Sequence, residues 1–171
     1  MKRQLLILFV FFVSPMYGQR FTLGELIKMT SMNWDNFDTY ALMHGYRYSD
    51  VSVNKDTLNF NKPVNRIYKG NEKNKENKII NMRRSEVSND VTIVYITPDV
   101  ADYLEIKKDL KHSEFKYLST STLPMGNSNV IVFDYGNRKI EVSLMTYDLK
   151  KTTSNMGNDS EYRIIVTKSC P

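Results

Sequence analysis

The sequence predicts an α+β fold, helices packed on an antiparallel sheet, and three observations lead there. Apolar residues recur at helical spacing in only three places, around residues 23–31, 34–44 and 100–110. Elsewhere the period is two, in short runs separated by polar breaks. Strand-rich stretches follow helices through short links instead of alternating one for one with them, which favours α+β over α/β.

Residues 1–18 read as a cleavable signal peptide. Lys2-Arg3 precede the apolar run Leu5 to Val13, which breaks at Ser14-Pro15, and Gly18 before Gln19 is the expected cleavage point. Nine apolar residues rise only about 14 Å as a helix, short of a hydrocarbon core of about 30 Å. No later run is apolar for long enough to span a bilayer. The expected product is exported, periplasmic or extracellular, and soluble. Loss of Lys2 and Arg3 lowers the formal charge from +5 to +3. The remaining chain, residues 19–171, is long enough to bury about 70% of its unfolded surface as one domain, and it divides into modules 21–96 and 97–168. Its single cysteine, Cys170, permits no internal disulfide.

The first helix, about 23 to 31, opens with capping-box spacing, Thr22 to Glu25, and a hydrophobic staple between Phe21 and Leu26. Leu23, Leu26, Ile27 and Thr30 share its apolar face. Asn33 caps a second helix carrying Trp34, Phe37, Tyr40, Ala41 and His44, stopped by Gly45. Asp35 and Asp38 occupy its first turns, where the helix dipole favours them. Strands are expected at Tyr46 to Ser49, Thr57 to Phe60, Asn65 to Lys69, Ile79 to Arg83 and Val91 to Ile96. The tract Asn71 to Lys78 reads as a solvated turn. Thr97-Pro98-Asp99 starts a third helix, with Pro98 in its first turn and the stripe Val100, Tyr103, Leu104, Ile106 and Leu110, ending near Ser113. Strands follow at Phe115 to Leu118, Asn129 to Tyr135 and Arg138 to Tyr147, the last two joined by Gly136-Asn137 as a two-residue hairpin. After the loop Thr152 to Ser160, a final strand covers Tyr162 to Val166.

An internal echo runs through this layout. Leu42, His44, Tyr46, Arg47 and Tyr48 match Leu110, His112, Phe115, Lys116 and Tyr117, each set carrying a helix end into an aromatic-basic-tyrosine strand. With the leader ending at Gly18-Gln19, the opening Phe21 to Met29, and Trp34 to Tyr40 leading into Gly45-Tyr46, the chain resembles small exported proteins of Bacteroidetes-type Gram-negative bacteria whose activity is uncharacterised. Its module layout is more remotely similar to the tandem helix-plus-sheet form of secreted β-lactamase inhibitor proteins and of small envelope-assembly proteins. It departs from both, having neither cysteine pairs nor a thiol after the leader for a lipid anchor.

No reaction signature stands out. His44 and His112 each sit at a helix end, where an imidazole meets exposed carbonyls, and neither has a cluster with metal-ligand spacing around it. G-x-S-x-G is absent; Ser52 to Lys55 and Ser113 to Lys116 match S-x-x-K without its companion motifs. The seven glycines form no phosphate loop. Tyr46-Arg47-Tyr48 and Arg66-Ile67-Tyr68-Lys69 read as half-buried tyrosines with solvated cations, and Arg83-Arg84 as a solvated strand end; nucleic acid is not expected. No catalytic, cofactor-binding or metal-binding residue is assigned, no cofactor is implied, and ligand-binding residues stay open. The expected function is a non-enzymatic binding module for an envelope or extracellular protein or glycan, acting through a sheet or loop surface that the eleven tyrosines can dress. The alternative is a small hydrolase of envelope or extracellular polymer using carboxylates dispersed over the sheet. Convergent carboxylates in a deep cleft would mark the hydrolase, and a flat tyrosine-rich face the binder.

Overall fold

Local signals place the helix ends. In the computed structural model, which describes residues 20–50, 64–70, 78–85, 88–125, 128–148 and 160–169, α1 runs Leu23–Met29 and α2 Trp34–Met43. The Thr22 hydroxyl accepts from Glu25 N–H while Glu25 returns a bond to Thr22 N–H, so the capping box is complete. Asn33 Oδ1 accepts from Asn36 N–H, and Gly45 leaves α2 at φ 81°, a conformation that glycine takes without strain. Asp99, not a residue before it, caps α3, Val100–His112, which leaves Pro98 outside the helix. The leader, the Thr57 to Phe60 strand, most of the Asn71 to Lys78 tract, most of the Thr152 to Ser160 loop and Cys170 lie outside the described residues.

Among the described residues, eight strands form one wholly antiparallel sheet. They are β1 Arg47–Asp50, β2 Val64–Lys69, β3 Ile79–Arg84, β4 Val91–Thr97, β5 Lys116–Met125, β6 Ser128–Gly136, β7 Ile140–Asp148 and β8 Ser160–Lys168, in the order β1-β2-β3-β4-β8-β7-β6-β5. Each meander of four strands follows a helix, and the two meanders meet at their last strands, where β4 and β8 pair from Val91↔Lys168 to Thr97↔Tyr162. The helix-to-strand junctions that share the sequence echo, α2 into β1 and α3 into β5, therefore stand at opposite edges of the sheet.

All three helices cover one face. Leu26, Met29, Phe37, Ala41, Ile106 and Leu110 pack with Tyr68, Ile80, Met82, Ile93, Tyr95, Val142, Leu144, Ile164 and Val166 in one cluster. Strand period sends the intervening residues to the other face. Among the described residues, no helix packs there.

Three expectations are corrected. β5 extends to Met125, well beyond Leu118, because it is an edge strand whose residues 116–124 are all exposed, so no inside–outside alternation marks it. The β6–β7 link is Asn137–Lys139, three residues long, with Asn137 Oδ1 accepting from Lys139 and Ile140 N–H. Gly136 belongs to β6 and not to the turn; a Cβ there would come within 2.9 Å of Leu118 Cδ1, the far end of an exposed side chain that can move aside. On α3, Val100 and Leu104 of the expected apolar stripe are 48% and 54% exposed, while Asp102 is turned inward and buried.

Candidate functional site

Asp102 is the strongest polar feature of the interior. Its Oδ2 accepts from Tyr95 O–H at 2.6 Å and Thr97 O–H at 3.1 Å and faces Lys78 Nζ at 3.1 Å. Arg20 Nε lies 2.9 Å from Oδ1 as an ion-pair contact and not a well-directed hydrogen bond, and Arg20 also pairs with Glu105. Lys78, read from sequence as the end of a solvated turn, is 3% exposed. The residue is buried because a carboxylate waits for it, a pairing across 24 positions that no local pattern encodes. Burial, then the neighbouring Tyr46 and Asp102, push the Tyr95 phenol far above its ordinary value, so it stays a donor. With Lys78 and Asp102 both enclosed, the cluster suits a structural role.

A second group joins α1 to α2. Tyr40 O–H donates to Glu25 Oε1 at 2.9 Å, and His44 Nε2 lies 3.5 Å from the same oxygen. His44 Nδ1 is 2.9 Å from the Tyr40 carbonyl and His112 Nδ1 is 2.8 Å from the Lys108 carbonyl, so each imidazole donates back to its own helix end. The Ser113 hydroxyl donates to Leu110 C=O and accepts from Phe115 N–H, which gives it a capping role. Ser52 and Lys55 lie outside the described residues. Among those described, no three His, Cys, Asp or Glu side chains gather at metal-binding distance.

Asp35 is exposed, whereas Asp38 pairs with Arg66 of β2. Arg66 and Arg84 lie 5.1 Å and 5.9 Å from the Trp34 ring centroid. Arg84, expected to be solvated, instead turns toward the helices; Arg83 does point to solvent.

The tyrosines do not dress a surface. Tyr46, Tyr68, Tyr95, Tyr103, Tyr135 and Tyr147 are buried, and among those described only Tyr48 and Tyr117 are more than half exposed. The face that none of the described helices covers is aliphatic and only partly open: Asn81, Val94 and Val132 are buried, and Val130, Val132 and Tyr147 form a second cluster there with Met145 packed against it. Register places Ile79, Ile96, Arg163, Met145 and Val132 in one row across it, and Ile67, Asn81, Val94, Ile165, Ser143 and Asp134 in the next. The exposed Leu118 and Leu123 continue the apolar surface onto β5. Carboxylates on this face are mostly engaged: Asp134 accepts from Ser119 and Ser143 hydroxyls at 2.8 Å and 2.7 Å, and Glu161 pairs with Arg163 at 2.6 Å. An open hollow of about 680 Å³ at the β6–β7 end is lined by Glu114 and Glu141 together with Lys116, Arg138 and Lys139.

Comparison with protein-family models, with curated proteins and with solved structures gives no match for this chain. Its function is therefore argued from its own surface.

Proposed function

We propose that this chain is an exported, non-enzymatic binding protein that docks a partner protein on the bare face of its sheet. The observation that carries the reading is the one-sided covering: among the described residues, three helices bury one face of eight strands, and none packs on the other, which is aliphatic from β2 to β7. Half-buried Ile79, Ile96, Ile165 and Met145, beside the buried Val94 and Val132 and rimmed by Lys69, Arg83, Glu141 and Glu161, have the anatomy of a protein-facing patch more than of a glycan site, which would call for aromatic platforms. The signal-peptide pattern of residues 1–18 and the resemblance to small exported proteins support an envelope or extracellular partner.

The test compares Ile96→Lys and Ile165→Glu on the bare face with Leu104→Lys on the outer face of α3. Each is expressed natively, crosslinked and recovered from envelope and medium fractions. The reading expects a captured protein that is lost with both face variants and kept with Leu104→Lys. Capture indifferent to the face variants defeats it. Polymer hydrolysis abolished by Asp134→Asn or Glu141→Gln would establish the hydrolase instead.

A further inference from the structure

On the opposite, helix-covered side of the sheet, Arg84 of β3 and Lys168 of β8 flank Val91 in one cross-strand row, Arg84 opposite Val91 and Val91 opposite Lys168. Two strand spacings set the two backbones about 10 Å apart. Between them opens a hollow of about 350 Å³, lined also by Thr30 and Ser31 at the end of α1 and by Asn89 in the β3–β4 turn. Asn89 holds φ 54°, the left-handed conformation that asparagine tolerates in tight turns. None of the six lining residues is acidic.

The donors here outnumber their acceptors. Lys168 Nζ donates to Ser31 Oγ at 2.8 Å, which occupies one of its three N–H groups. The Ser31 hydroxyl, accepting that bond, keeps its own hydrogen for another acceptor. Among the described residues Arg84 finds one hydrogen-bond acceptor, the Met32 carbonyl at 3.5 Å, and lies 5.9 Å from the Trp34 ring centroid, while its Nε is buried without an acceptor. Neither cation meets a carboxylate among the described residues. The carbonyl end of α1 explains why a cation is welcome here. It does not explain two, since a helix of seven residues offers few free carbonyls and the contacts made are one long bond and one bond to a hydroxyl. Two fixed positive charges, a hydroxyl and an amide, brought together from α1, the β3–β4 turn and β8, match a dianionic acceptor with several oxygens.

We propose that this hollow binds a tetrahedral oxyanion of the phosphate class, carried as a monoester. Arg84 and Lys168 hold its charge, Ser31 and Asn89 supply neutral donors, and the remaining volume takes the first unit of the carrier. The site is independent of the bare-face reading, because it lies on the other side of the sheet.

The experiment titrates the leaderless chain with inorganic phosphate and with glucose 6-phosphate at constant ionic strength against sodium chloride, followed by backbone amide NMR shifts. Phosphatidic acid vesicles, whose headgroup is a phosphate monoester, form a further arm read by co-sedimentation. Saturable shifts at Ser31, Asn89 and Lys168 are expected, with affinity about tenfold weaker in Lys168→Gln and unchanged in Lys28→Gln. Lys168 is the decisive position, since Arg84→Gln also removes a Trp34 contact. Response to glucose 6-phosphate indicates a soluble ester, and vesicle binding that is lost in Lys168→Gln indicates a lipid headgroup; either supports the site. Shifts equal to those from chloride, or full affinity in Lys168→Gln across all arms, overturn it.

Discussion

At the residue scale, Asp102 carries the clearest consequence. Replacing a buried carboxylate opposite a buried ammonium leaves a charge without its counterpart, so Asp102→Asn should cost about 3–5 kcal/mol in urea unfolding. The paired replacement Asp102→Leu with Lys78→Met should recover only part of that loss, because it removes both desolvation penalties but leaves the Tyr95 and Thr97 hydroxyls without their acceptor. Glu25 gives a pH signature. Partial burial raises its pKa, but hydrogen bonds from Thr22 and Tyr40 and the nearby His44 outweigh this and leave it below 4.5. A depressed folded-state pKa means that its stabilisation is complete above the unfolded value and is lost as pH falls through the folded one. Glu25→Gln should therefore flatten the acid limb of the thermal midpoint against pH. Tyr40 acts at the other end: burial and the Glu25 carboxylate raise it from 10.0 to about 12. Its contribution is full below pH 10 and fades as pH rises toward 12, which ultraviolet titration of Tyr40→Phe against the parent would isolate.

Elements show how local chemistry is kept or overruled. α1 has Gly24 inside its first turn with open space where a Cβ would stand. Gly24→Ala should raise stability by about 0.5–1 kcal/mol in the same urea assay, through unfolded-state entropy and helix propensity. α2 follows its caps closely. α3 follows its apolar stripe at Tyr103, Ile106 and Leu110 but not at Val100 and Leu104: turning Asp102 inward exposes Leu104, and the helix accepts this because Tyr95, Thr97, Lys78 and Arg20 meet the carboxylate at the core. β5 is the reverse case, a ten-residue strand with no buried side to betray it, recognisable only from its pairing with β6.

For the whole molecule, the β4–β8 seam decides cooperativity. Seven paired positions join the meanders, and most core residues of both lie in one cluster, with Val130, Val132 and Tyr147 in a second, smaller one. The chain should therefore unfold in one transition, with fluorescence of the single tryptophan, Trp34 in the first module, coinciding with far-ultraviolet circular dichroism of the full sheet. Expressed alone, residues 97–171 should fail to fold, since β8 would lose its partner and its inner face half of its cover. Two separated transitions would show that the modules are energetically independent.

The sequence by itself determined the α+β class, three helices with the caps of α1 and α2, and most strands, because caps, turns and hydrophobic period act over a few residues. The imidazoles at helix ends were legible for the same reason. Only the tertiary structure decided that β4 lies beside β8, that the tyrosines face inward, that Lys78 and Asp102 share a buried pair, and that Arg84 and Lys168 converge beside α1. These are pairings between distant positions, and their free energies depend on which faces meet, a quantity that no local window of the chain contains.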